Sequence, residues 1–210
     1  MARRVRAYVG LGANVGDAET TLRAAVHALA ALPGARLVGV SRLYATAPVG
    51  VVDQPEFRNA VVALDVPAGP DPATGATALL VALKSLERAF GRQQRERWGP
   101  RELDLDLLIF GRARLSIERP AAGQSVDATV DPGKPAKLLE VPHPLARERL
   151  FVLAPLADLA PRLVPPGWQN TVETARRRAL AVEGPTAVRP VGDWSAVAKD
   201  WISARERVSG

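Results

Sequence analysis

Cysteine is missing altogether from this chain of 210 residues. Neither a disulfide framework nor a zinc–thiolate site can therefore form, which accords with a reducing, cytoplasmic setting. Long apolar runs are missing too. None reaches the ~18 residues of a membrane-spanning helix, and the opening Met-Ala-Arg-Arg-Val-Arg lacks the apolar stretch of a secretory signal. No membrane partner is expected. Lysine is confined to Lys84, Lys134, Lys137 and Lys199, so arginine carries most of the net charge of +6. That balance suits anionic partners, and the planar guanidinium suits phosphate, although a basic surface can also reflect composition alone. No Gly-Lys-Ser/Thr occurs anywhere, which excludes a Walker-type phosphate loop. What is present, 47% hydrophobic residues at a mean hydropathy near zero, fits a globular chain with a real core.

The patterning predicts a strand over Val5 to Leu11. A helix capped by Asp17 then runs to about Leu32, with Leu22, Val26 and Leu29 on one face. A strand-like stretch covers Leu37 to Thr46, a proline- and glycine-bearing loop residues 47 to 56, and a second long strand Phe57 to Val66. After a turn over Pro67 to Gly75 comes an amphipathic helix from about Ala76 to Phe90, an arginine-rich loop from Gly91 to Glu102 and a strand from Leu103 to Phe110. The order βαββαβ is that of an α+β, ferredoxin-like antiparallel sheet with both helices packed on one face. Beyond it the pattern weakens. Arg119 to Lys137 reads as a long loop insertion, Pro142 to Pro161 holds a compact apolar run, and a helix is expected at Val172 to Val182. The expected organisation is a catalytic domain over 1–165, with 166–210 a C-terminal extension rather than a separate catalytic domain.

Asp104 and Asp106 stand at i and i+2 on the Leu-Asp-Leu-Asp-Leu strand, so both carboxylates project from one face and the leucines from the other. Like charges held that close call for a cation or a proton, and magnesium takes one or two carboxylates together with substrate phosphates. An isolated Asp-x-Asp is more often an exposed strand face. Here it follows Arg92, Arg95, Arg97 and Arg101 in one loop, a combination suited to phosphoryl-type transfer.

Two rival readings carry less. Gly10-Leu11-Gly12-Ala13-Asn14-Val15-Gly16 resembles a dinucleotide fingerprint, but its third glycine is one place late and no βα series follows. A nucleic-acid-binding ferredoxin-like module without catalysis would interleave aromatic and basic residues on the central strands, where this chain offers Phe57 alone and an acidic strand. No nucleic-acid partner is expected.

Four blocks together resemble the 6-hydroxymethyl-7,8-dihydropterin pyrophosphokinases of folate biosynthesis: Gly-Leu-Gly-Ala-Asn-Val-Gly-Asp (10–17), Tyr-Ala-Thr-Ala-Pro-Val-Gly with Asp-Gln-Pro-Glu-Phe-Arg-Asn-Ala (44–60), Gly-Arg…Arg-Trp-Gly-Pro-Arg-Glu-Leu-Asp-Leu-Asp-Leu-Leu (91–108), and Val-Pro-His-Pro (141–144) running into Arg149-Leu-Phe151. The resemblance implies transfer of pyrophosphate from ATP to the hydroxymethyl group of the pterin, giving AMP. It implies two magnesium ions on Asp104 and Asp106, with Arg92 and Arg101 as catalytic arginines engaging the phosphates. ATP contacts are implied for Glu87, Arg92, Trp98, Arg101, Leu107, His143 and Arg149. Pterin contacts are implied for Thr46, Pro48, Val49, Phe57, Asn59, Asp104 and Phe151, with Phe57 and Phe151 stacking on the ring and Asn59 reading its edge. The Gly-x-Gly segment becomes a tight strand-to-helix turn.

The chain departs from the family pattern at Gln94, where a second loop arginine is frequent, with Arg95 or Arg97 placed to compensate, and at Pro144, where some members carry an aromatic residue. A cytoplasmic monomer is expected.

Overall fold

Side chains alternate along a strand, so β1 (Arg4–Ala13) sends Ala7, Val9, Leu11 and Ala13 to one face of its sheet and Tyr8, Gly10 and Gly12 to the other. The computed structural model describes residues 3–47, 54–92, 100–119 and 137–203. Within it β1 lies between β4 (Phe57–Pro67) and β5 (Asp104–Phe110), antiparallel to both. On the far side of β4 run β2 (Arg36–Val40) and β3 (Leu43–Thr46). The order β5-β1-β4-β2/β3 is the ferredoxin-like arrangement.

The single strand expected over Leu37 to Thr46 is divided in two. Ser41 donates its N–H to the Val61 carbonyl (2.9 Å), while its Oγ accepts the Val61 N–H (2.9 Å) and donates to the Arg42 carbonyl (2.7 Å). A side-chain hydroxyl thus takes a place in the ladder that main chain would otherwise fill.

Helices α1 (Ala18–Ala30) and α2 (Pro72–Ala89) share one face, where Leu22, Val26 and Leu29 meet Leu79, Leu83, Leu103 and Leu105 in the main core. Each such leucine contributes about 1.5–3 kcal/mol on burial. Asp17 caps α1 by accepting the Thr20 N–H (3.0 Å), as its sequence position predicts. Helix α2 begins earlier than Ala76. Asp71 accepts the Thr74 N–H (2.9 Å) and Pro72 follows at the first helical position, where its missing N–H costs nothing.

The opposite face is partly covered by α3 (Leu150–Leu159) and α4 (Val172–Glu183), whose Leu150, Leu153, Leu156 and Val172 pack on Tyr8, Tyr44, Val61 and Leu108. Helix α4 was expected. Strands β8 (Val188–Ser195) and β9 (Asp200–Ile202) were not, because Pro190 and Gly192 interrupt the apolar alternation. Strand β8 pairs with β3 and so covers that edge of the sheet. The β8–β9 hairpin then reaches the other face, where Trp194 and Trp201 meet edge to face (4.9 Å) and Asp200 pairs with Arg23 of α1 (2.6 Å). A separate ribbon of β6 (Leu115–Glu118) and β7 (Lys137–Val141) brackets the expected loop insertion, of which residues 120–136 lie outside the described residues. Among the described residues no helix is long and apolar enough to cross a membrane.

Gly75 sits inside α2, where alanine would ordinarily add helix stability. A Cβ there would meet the Ala68 carbonyl oxygen at 2.2 Å. Gly75→Ala is expected to lower unfolding free energy by about 2 kcal/mol in urea titration, an overpacking cost. A gain of about 1 kcal/mol, the ordinary helix preference, would contradict this packing.

Candidate active site

The side chains of Leu103, Leu105 and Leu107 fill the core under α1 and α2, which turns Asp104, Asp106 and Leu108 to the α3 face. Across the ladder Asp104 faces Gly12 and Asp106 faces Gly10, and these in turn face Asn59 and Val61 of β4. The absence of side chains on β1 leaves a narrow cleft lined by Gly10, Gly12, Asn59, Asp104, Asp106 and Phe151. A Cβ on Gly12 would stand 3.2 Å from Asn59 Oδ1. This corrects the expectation of a tight strand-to-helix turn at the Gly-x-Gly segment: both glycines lie within β1, and the turn comes at Gly16 (φ +61°). Strands dictate this placement, since two residues of spacing return a side chain to the same face.

The charges in the cleft are unequal. Asp104 Oδ1 is paired with Arg92 Nη1 (2.7 Å), and the same nitrogen pairs with Glu87. Among the described residues Asp106 has no such ion-pair partner. It lies at the floor of the cleft, where burial, and after it the Asp104 charge, push its carboxyl pKa up. A proton or a cation relieves that penalty. The guanidinium on Asp104 shows that the site accepts one, and two carboxylates open to a cleft match magnesium, which fills its remaining positions from water and phosphate. Among the described residues no group of three or more His, Asp or Glu side chains could hold a metal unaided, so a metal here would depend on substrate oxygens.

Asn59 and Thr46 form the other wall. Asn59 Nδ2 donates to Thr46 Oγ1 (2.8 Å), leaving Oδ1 toward Gly12 and the cleft. Phe57 stands two residues before Asn59, on the same strand face. Phe151 reaches the cleft from the first turn of α3, with the Arg149 guanidinium over its ring (5.6 Å). His143 lies beside the edge of β5, its main-chain N–H donated to the Leu108 carbonyl (2.9 Å) and its buried Nδ1 without a hydrogen-bond partner among the described residues.

Two expected contacts change character. Leu107 is 3% exposed and its side chain points into the core, away from the aspartates, so only its main chain is in reach of a nucleotide. Glu87 is 2% exposed and lies beneath the site, its Oε1 accepting the Leu105 N–H (2.7 Å) and a Lys84 Nζ proton (2.7 Å). Pro48, Val49, Gln94, Arg95, Arg97 and Trp98 lie outside the described residues.

One residue went unnoticed in the sequence. Asn14, 2% exposed, exchanges two hydrogen bonds with Arg101, donating its N–H to the Arg101 carbonyl (3.0 Å) and accepting the Arg101 N–H on Oδ1 (2.7 Å). Its Nδ2 donates to Gln54 Oε1 and to the Pro55 carbonyl (both 3.1 Å). The end of β1 is thereby tied to the approaches of β5 and β4, which carry Asp104 and Phe57. The available signal was a short polar residue closing a glycine-rich block, which reads equally as a turn. Asn14→Ala orphans a half-buried Arg101 main-chain donor and removes two further hydrogen bonds from Nδ2, and is expected to cost about 1–3 kcal/mol in urea unfolding. A loss below about 0.5 kcal/mol, typical of an exposed site, would contradict the hub.

Comparisons with known proteins bear on the family. Residues 8–161 match the family model of 7,8-dihydro-6-hydroxymethylpterin-pyrophosphokinase (HPPK). A 2-amino-4-hydroxy-6-hydroxymethyldihydropteridine pyrophosphokinase of Methylorubrum extorquens is 41% identical over 89% of this chain and 98% of its own length. One from Pseudomonas aeruginosa is 41% identical over 80% of this chain and 88% of the relative. Among solved structures, wild-type Plasmodium falciparum HPPK-DHPS with pterin and p-hydroxybenzoate superposes with a TM-score of 0.69 over 98% of this chain. At 14% identity that likeness speaks for the fold, and this chain spans about half (49%) of that one. The cleft with its paired aspartates, the matched family model and the relatives together place this chain in the 6-hydroxymethyl-7,8-dihydropterin pyrophosphokinase family, the enzymes that transfer pyrophosphate from ATP to the pterin alcohol in folate biosynthesis.

Proposed function

We propose that the pterin lies in the cleft between Asn59, Asp104 and Phe151, and that ATP lies beside the outer edge of β5, with two magnesium ions on Asp104 and Asp106. The observation that carries this reading is the pair of aspartates opposite Gly12 and Gly10, where two carboxylates on one strand face meet a cleft walled by Phe151. When bound, magnesium supplies neutralisation of the triphosphate and polarisation at phosphorus.

The chain's own residues do the positioning. Phe151, with Phe57, stacks on the flat ring, which buries apolar area at small entropic cost. Asn59, its amide turned by Thr46, presents Oδ1 to a ring donor, and the main chain of Pro48 and Val49 completes that edge. Asp104 faces the hydroxymethyl oxygen and orients it toward the β-phosphorus. Arg92 exchanges Asp104 for phosphate oxygen, and Arg101, Arg149 and His143 add donors along the triphosphate, His143 through the Nδ1 that lacks a partner. Trp98 covers the nucleotide, and Leu107 offers main chain to its base. Arg95 or Arg97 takes the place of the arginine absent at Gln94.

The site is built wholly within one chain, so a monomer suffices. A cysteine-free chain suits the cytoplasm. The carboxylates on the open face of β5 disfavour nucleic acid, whose phosphates they would repel.

Asp104→Ala and Asp106→Ala are each expected to lower AMP formation from ATP and 6-hydroxymethyl-7,8-dihydropterin by about a hundredfold or more while leaving circular dichroism unchanged. Turnover at the wild-type rate in both variants would remove the metal assignment.

A further inference from the structure

Strand β5 is the outermost strand on its side of the sheet, so every second peptide unit turns its N–H and C=O away from β1. Leu105, between the two aspartates, is such a residue. Its N–H donates to Glu87 Oε1 (2.7 Å) and its carbonyl accepts from Lys84 Nζ (3.2 Å), while Lys84 and Glu87 are themselves paired (2.7 Å). Two side chains one turn apart on α2 therefore grip both polar groups of the residue that separates Asp104 from Asp106. Glu87 is buried to 2% exposure, and nothing in the packing of α2 on the sheet calls for a charge there. Its buried carboxylate is compensated by two hydrogen-bond donors, Lys84 Nζ and the Leu105 N–H, and by an ion pair with Arg92.

We infer that Glu87 and Lys84 are positioning residues, a clamp on the Leu105 peptide that fixes the spacing and facing of the two metal-binding carboxylates. The inference rests on the assignment of magnesium to Asp104 and Asp106. The clamp acts where a strand is weakest. An edge peptide without a partner exchanges with water and lets the strand twist, and a twist at Leu105 moves Asp104 and Asp106 in opposite senses. Glu87 also holds Arg92 beside Asp104, so the cation that must leave Asp104 for a metal to arrive has a second carboxylate to stay on.

The test uses the whole chain with manganese as probe, titrated in the presence of saturating α,β-methylene-ATP and followed by electron paramagnetic resonance. Glu87→Gln keeps an acceptor for the Leu105 N–H, Glu87→Ala removes it, and Lys84→Met frees the Leu105 carbonyl alone. Manganese affinity is expected to fall about tenfold in Glu87→Ala, with Glu87→Gln and Lys84→Met between it and wild type. Amide exchange at Leu105 is expected to quicken by about tenfold in Glu87→Ala, with the central strands β1 and β4 unchanged. Affinity for the nucleotide without divalent metal should stay within about twofold, since on this account Glu87 touches no part of it.

Weaker metal-free nucleotide binding with unaltered manganese affinity would make Glu87 a direct nucleotide contact and overturn the clamp. Faster exchange across β1, β4 and β5 together would reduce it to general stability and overturn it equally. If Glu87→Ala does not fold, Glu87→Gln and Lys84→Met carry the same readouts. Asp104→Ala and Asp106→Ala serve as controls: if they bind manganese like wild type, the metal assignment fails, and if they lose it while Glu87→Ala does not, only the clamp fails.

Discussion

Two carboxylates on neighbouring positions of one strand face repel each other, and most of the site follows from keeping them there. Burial raises the free energy of charged Asp106, and the Asp104 charge adds to it. The fold absorbs that cost with the leucines between and beside the aspartates. Leu103, Leu105 and Leu107 are locked into the core under α1 and α2, so the acids cannot turn away without exposing them. Arg92 neutralises one carboxylate, and the second awaits a cation.

The open space in front of the aspartates has an equally simple cause. Gly10 and Gly12 remove side chains from the central strand at the two positions opposite the acids, and α3 and α4 cover the rest of that face. Asn14 then ties the end of the same strand to the segments that lead into β4 and β5. One strand thus supplies the floor of the cleft and the anchor for both of its walls.

The βαββαβ core and the facing of the aspartates were legible because period-two and helical spacing report directly on which side chains share a face. The same alternation explains why Phe57 and Asn59 go together. Hydrogen-bonded roles carry no such period. Asn14 looks like any polar residue at a turn, and the family motif marks Glu87 for ATP; only three-dimensional proximity shows that they bind the main chain of Arg101 and Leu105. The glycines were misplaced into a turn because a Gly-x-Gly before a helix usually belongs to one, whereas here the strand runs on to Ala13. Strands β8 and β9 were hidden by Pro190 and Gly192, and the start of α2 by reading Asp71-Pro72 as a loop instead of a cap followed by a first-turn proline. The catalytic roles themselves came from family motifs, since two aspartates after an arginine-rich loop specify phosphate chemistry but not a pterin.

The most direct test of the account is to locate the metal. Crystals grown with manganese and α,β-methylene-ATP, measured at the manganese absorption edge, should show anomalous density within about 2.1 Å of carboxylate oxygens of both Asp104 and Asp106. Arg92 should then have moved off Asp104 onto phosphate. Manganese bound only to the nucleotide, with Arg92 still paired to Asp104, would contradict it.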